Sequence, residues 1–201
     1  ILSLLDESIV NYPMTSPIRF VFKDDNKNIW FTTLSDGIYK ANQSQTRSIF
    51  NKQKIRFEHY KFNKGDKNGI SSSKITSFLH QDNNFIWFGS TNGGLNKLDI
   101  KSNKFHHIFI ENGLPSNYIT AIEKSKDGNL WVSSKNGISL LNTNTNEIIN
   151  YNLLDGISDL DFFRASVAKN KKGDLFFGGP NGITIIKPND IKLNDYKPCL
   201  L

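Results

Sequence analysis

Asp159 and Asp161 share one short stretch and one parity in the sequence, so they could stand together as a carboxylate pair for acid–base work. No partner base accompanies them, and the chain has no glycine-rich phosphate loop, no Gly-x-Ser-x-Gly elbow and no His-Glu-x-x-His. The 4 histidines, His59, His80, His106 and His107, are too few and too unevenly spaced for a metal site. Structural or solvated roles are expected for them. Trp30, Trp87 and Trp131 could be read as sugar-stacking platforms, but their regular recurrence predicts packing instead. Cys199 is the sole cysteine and cannot form an internal disulfide. These residues predict no catalytic group, no metal and no cofactor, and place recognition ahead of reaction.

The elements that would position a recognition surface can be read from composition and then from repetition. A chain of 201 residues is within the range of one domain with a sizeable core. Aromatics make up 12%, with 15 Phe against a single Met, a mix that suits pleated, half-buried strands. The formal charge is +6, but the lysines are scattered, and the densest group, Lys169, Lys171 and Lys172, falls in a turn. That pattern predicts solvated turns rather than a nucleic-acid surface. No apolar run approaches the roughly 18 residues needed to span a bilayer. Residues 1–5 are apolar but too short for a signal peptide.

Asx-Gly dipeptides recur along the chain, among them Asp36-Gly37, Asn92-Gly93, Asp127-Gly128, Asn136-Gly137 and Asn181-Gly182. Such pairs supply the positive φ of tight hairpin turns, and turns this dense between short apolar runs predict an all-β fold. Four aromatic-led segments set the register: Ile29-Trp30-Phe31, Ile86-Trp87-Phe88, Leu130-Trp131-Val132 and Leu175-Phe176-Phe177. Trp30, Trp87, Trp131 and Phe176 are separated by steps of 57, 44 and 45 residues, and each is followed by a glycine and an apolar strand. The third repeat shows a whole unit, with strands expected at 118–124, 130–134, 138–142 and 147–151. Four antiparallel strands in about 45 residues make one blade of a β-propeller.

The expected fold is therefore an incomplete all-β propeller of about four blades plus part of a fifth. Residues 1–16 would end a preceding blade, since Ser3-Leu4-Leu5-Asp6 followed by Ile9-Val10-Asn11-Tyr12 echoes Ser139-Leu140-Leu141-Asn142 followed by Ile148-Ile149-Asn150-Tyr151. Blades follow at 17–63, with an inserted loop near 43–54, then at 64–111, 112–156 and 157–190. The remainder, 191–201, would approach another domain. Open sheet edges at both ends predict an arc covered by another chain or by the rest of the protein. The alternative is a small ring closed by pairing residues 9–12 with 183–186.

The strings Asn129-Leu130-Trp131-Val132-Ser133-Ser134-Lys135-Asn136-Gly137-Ile138 and Phe85-Ile86-Trp87-Phe88-Gly89-Ser90-Thr91-Asn92-Gly93-Gly94-Leu95 resemble the two-component regulator propeller repeat. So does the lead-in Gly113-Leu114-Pro115-Ser116-Asn117. Gly173-Asp174-Leu175-Phe176-Phe177-Gly178-Gly179-Pro180-Asn181-Gly182 with Pro188 is similar to the final blade of that family. The resemblance implies the closing stretch of a seven-bladed propeller in the periplasmic sensor of a hybrid two-component system, anchored in the inner membrane. It implies an oligosaccharide ligand, a homodimer, a β-sandwich after Tyr196-Lys197-Pro198, and histidine kinase activity in the full-length protein but none in this segment. No nucleic acid would touch this segment. Two other readings stay open: a propeller scaffold for protein–protein interaction, and a polysaccharide lyase or hydrolase.

In propellers, the loops entering each first strand and the turns between second and third strands gather at one rim of the central channel, and loops on a rigid scaffold carry function. Asn117, Tyr118, Asp161, Phe162 and Arg164 are the ligand-binding candidates there. Arg164 takes the place of Ile119 in the repeat register, putting a charge where a core residue is expected. A sequence departing from its own pattern is where function is sought, although a salt bridge closing the last blade would explain it equally well.

Overall fold

The computed structural model describes residues 12–45 and 56–191. The echo at residues 3–11, most of the inserted loop, Cys199 and the approach to a following domain lie outside the described residues. So do residues 9–11 of the expected ring closure.

The described residues form four antiparallel meanders. The first holds β1 (Ile18–Lys23), β2 (Ile29–Thr33), β3 (Ile38–Ala41) and β4 (Glu58–Tyr60). The second holds β5 (Ile75–His80), β6 (Phe85–Ser90), β7 (Leu95–Asp99) and β8 (Lys104–Ile108). The third holds β9 (Ile119–Lys124), β10 (Leu130–Ser134), β11 (Gly137–Leu141) and β12 (Ile148–Tyr151). The last has three strands, β13 (Val167–Lys169), β14 (Leu175–Gly179) and β15 (Gly182–Ile186). Trp30, Trp87, Trp131 and Phe176 all fall on second strands, as the repeat predicts.

Three apolar interfaces hold the sheets together, and each is built the same way. Trp30 packs with Ile75, Ile86, Phe88 and Leu98 of the next blade. Trp87 packs with Ile119, Leu130, Val132 and Leu141, and Trp131 with Phe162, Leu175, Phe177 and Ile186. Burial of all three indoles at 0–1% exposure makes them blade-to-blade wedges and removes them as sugar platforms. Phe176 is only half-buried because no described residue stands where a further blade would cover it.

Polar contacts fix the same stacking. The amides of Gly37, Gly94 and Gly137, each in a β2–β3-type turn, donate to Ser73 O (2.9 Å), Asn117 O (2.9 Å) and Leu160 O (2.7 Å) of the following blade. These glycines have φ of +80°, +60° and +100°, a region that glycine enters without the steric cost of a Cβ. Two Asx-Gly pairs depart from the expected pattern: Gly69 of Asn68-Gly69 has no positive φ, and at Asn92-Gly93-Gly94 the positive φ falls on Asn92 and Gly94, with Gly93 ordinary.

The inner strands β1, β5, β9 and β13 converge on a common axis. Phe20, Phe78, Ala121 and Val167, one from each, line a shared cavity of about 290 Å³. Near its rim the ladder skips one residue in each of the first three blades, at Arg19, Thr76 and Thr120. Such bulges bend a strand and redirect a side chain.

Candidate ligand-binding rim

Tyr118 heads β9, and the β10–β11 turn of the same blade carries Lys135. Its ammonium lies 5.7 Å from the Tyr118 ring centre. The guanidinium of Arg164, from the loop entering the last blade, lies 5.3 Å from that centre and donates to the Tyr118 hydroxyl. Asp161, on the same loop, forms an ion pair with Lys135. Cations near one aromatic ring gain from its quadrupole, which helps hold these long side chains in place. Three sequence candidates, Tyr118, Asp161 and Arg164, are thus brought together, and Lys135 joins them. Lys135 was missed because a lysine in a turn carries no signal by itself; only the fold sets it beside Tyr118.

The other two candidates have different places. Asn117 accepts a hydrogen bond from the Ile110 amide (2.9 Å), so its side chain secures the one-turn 3-10 helix at Ile110–Asn112. Phe162 is fully buried and belongs to the Trp131 interface. It fills the core place that Ile119 fills against Trp87, which corrects the expectation that Arg164 stands in for Ile119. The loop entering β13 is longer, so Phe162 turns inward while Arg164 remains exposed. Ala165, at φ +54°, takes up the extra length, and its amide donates to Thr120 O (2.9 Å). Among the described residues Arg164 makes no salt bridge.

Asp159 and Asp161 do not face each other across a reaction space. Asp159 accepts from Asn181 Nδ2 (2.6 Å) and from the Asp161 amide (3.0 Å), while Asp161 is engaged with Lys135. His59 stacks on Tyr39 at 4.0 Å, and His107 Nε2 lies 2.8 Å from Gly69 O. No group of three or more metal-ligating side chains occurs among the described residues. The rim is equipped to hold polar and charged groups. Arg19 adds to that character: burial, and then the charge of Arg164, hold its guanidinium below its ordinary value.

Four stacked meanders around one axis define the class as a β-propeller segment. Residues 113–136 match the family described as two component regulator propeller, so the third blade carries a two component regulator propeller repeat. No curated protein matches the chain. Among solved structures, an extracellular domain from B. thetaiotaomicron named for a hybrid two component system aligns at 19% identity and a TM-score of 0.66, over 86% of this chain and 23% of that one. A second structure of that same protein, BT4673, named for a one component system, aligns at 17% identity and 0.65, over 89% and 25%. Virginiamycin B lyase from Staphylococcus aureus aligns at 18% and 0.59, over 89% and 60%. At these identities the likeness establishes the propeller fold. The chain spans about a quarter of the length of that extracellular domain.

Proposed function

We propose that this chain is part of the extracytoplasmic sensor of a hybrid two-component system and that its rim binds a glycan or oligosaccharide. The observation that carries the reading is the coincidence of the regulator-propeller repeat at 113–136 with a polar rim built on that same blade by Tyr118 and Lys135. The segment acts by binding. Occupancy of the rim passes to a histidine kinase elsewhere in the protein, through a homodimer anchored in the inner membrane with this part in the periplasm. Remaining blades of the same protein cover the outer face of β13–β15, and a β-sandwich follows. Cofactors and nucleic acid have no part in this segment's role.

Calorimetric titration of the chain with a panel of neutral and acidic oligosaccharides tests the reading. Saturable binding of one saccharide class, with the sugar recovered unchanged, supports it. Formation of cleaved or unsaturated products would replace it with a lyase or hydrolase. Failure of every saccharide would leave a protein-interaction scaffold as the better account.

A further inference from the structure

The glycine that opens the loop entering the second and third blades is held by the fourth strand of its own blade. His107 Nε2, on β8, lies 2.8 Å from Gly69 O, and Asn150 Nδ2, on β12, donates to Gly113 O (2.8 Å). Two residues earlier the same strands place Phe105 and Ile148 against the clusters around Trp30 and Trp87. Gly156 is the corresponding glycine of the last blade, because Ile157 buries beside Trp131 as Ile70 does beside Trp30 and Leu114 beside Trp87. Its loop is fixed in place, with the Ser158 amide donating to Thr184 Oγ1 (2.8 Å) as the Ser71 amide donates to Asn96 Oδ1 (2.9 Å). Among the described residues, however, Gly156 O accepts no hydrogen bond and β15 pairs only with β14. Beside that edge runs a groove of about 450 Å³ whose walls include Trp131, Tyr151, Gly156, Thr184 and Ile186.

We propose that this edge and groove take up one extended strand from the remainder of the protein, outside these 201 residues, as the fourth strand of the last blade. The strand runs antiparallel to β15, and the register of the complete blades fixes its side chains. Leu98 faces Phe105 and Asn96 faces His107, while Leu141 faces Ile148 and Ser139 faces Asn150. An apolar residue therefore stands opposite Ile186. An asparagine or histidine two positions later stands opposite Thr184, with its N–H on Gly156 O. Main-chain pairing supplies affinity in such strand addition, and alternate side chains supply specificity. Two segments of this chain resemble such a strand, and neither fits. In Leu193-Asn194-Asp195-Tyr196 the place of the donor belongs to Asp195, whose carboxylate only accepts. In Ile9-Val10-Asn11-Tyr12 the donor is right, but Tyr12 would stand opposite Ile183, and its ring instead meets Phe57, beside β4 of the first blade (6.1 Å between centres). The source of the strand rests on the reading that further parts of the same protein pack on the last blade; the recognition pattern rests on geometry alone.

The experiment is hydrogen–deuterium exchange of the full chain with an excess of a synthetic peptide of residues 145–152, which carries Ile148 and Asn150 in the required places. Exchange across Gly182–Ile186 is expected to slow ten-fold or more. Asn150→His in the peptide is expected to preserve that protection, and so is Ile149→Asp, which alters the opposite face of the strand. Asn150→Asp and Ile148→Asp are each expected to weaken binding ten-fold or more. Equal protection by the Asn150→Asp peptide, protection centred on another strand, or none at all would overturn the proposal. Slow exchange of β15 in the free monomer would assign the edge to a segment of this chain, and protection that rises with protein concentration would assign it to a second copy; either result overturns the source. Saccharide titration of the rim is independent of these outcomes, so the sensor reading stands or falls separately.

Discussion

Single residues in equivalent positions of this molecule differ in ways that a stability measurement can separate. Trp30 Nε1 donates to Asp24 (2.9 Å) and Trp87 Nε1 to Gln81 (2.6 Å), each six residues upstream. The corresponding residue for Trp131 is Ser125, whose hydroxyl is bonded to Asp127 and Asn129 O, and the Trp131 N–H has no partner. A buried donor left unpaired costs about 1–3 kcal/mol. Trp131→Phe is therefore expected to cost at least about 1 kcal/mol less than Trp87→Phe in chemical denaturation. Truncating either indole to alanine should cost about 3–5 kcal/mol. Equal effects of the two Phe substitutions would show that the hydrogen bond at Trp87 adds nothing. Asp36 gives a pH-dependent counterpart. Lys61 (2.6 Å), Tyr39 (2.6 Å) and Thr15 (2.7 Å) converge on its carboxylate and hold its pKa well below the usual range. A carboxylate depressed in the folded state stabilises fully above the unfolded value, near 4, and loses that contribution as pH falls toward the folded value. The stability gap between wild type and Asp36→Asn is expected to be largest at neutral pH and to shrink below about pH 4. A gap independent of pH would mean that Asp36 acts through shape alone.

Second strands were legible in the sequence because an aromatic, an Asx-Gly turn and an apolar strand recur at fixed offsets. The bulges at Arg19, Thr76 and Thr120 were not, since a skipped residue exists only relative to the strand it pairs with. For the same reason register counting set Arg164 on Ile119, while packing gave that place to Phe162. The turn glycines show how one element depends on its neighbour. A Cβ on Gly137 would meet Tyr151 O at 2.5 Å, because β12 closes over the turn. Gly182 has φ +121° but nothing within 4 Å, since no fourth strand follows β15 among the described residues. Both alanine variants incur backbone strain of about 1–3 kcal/mol. Gly137→Ala adds a clash with backbone that cannot move aside, so it is expected to cost about 1–3 kcal/mol more than Gly182→Ala. Matching losses in thermal denaturation would contradict that difference.

At the scale of the whole molecule, the three internal interfaces and the uncovered outer face of the last blade carry opposite expectations. Ile183 and Ile185 are 64% and 58% exposed, whereas Phe177, on the packed side of the same sheet, is fully buried. Ile183→Lys and Ile185→Lys should each change the stability of the chain by no more than about 0.5 kcal/mol, while Phe177→Ala should cost about 3–5 kcal/mol. A large loss from either isoleucine variant would mean that another part of the chain covers this face. The propeller class was legible because repetition multiplies a weak local signal. The rim was legible only in part, because it is assembled from residues 118, 135 and 164, which no local pattern connects. The central claim, that this rim is where a glycan binds, is tested most directly by hydrogen–deuterium exchange of the chain with and without a saturating oligosaccharide. Slowed exchange confined to the segments around Tyr118, Lys135 and residues 159–165 is the expected result. Protection elsewhere, for example in the groove beside Phe85 and His106, with this rim unaffected, would contradict it.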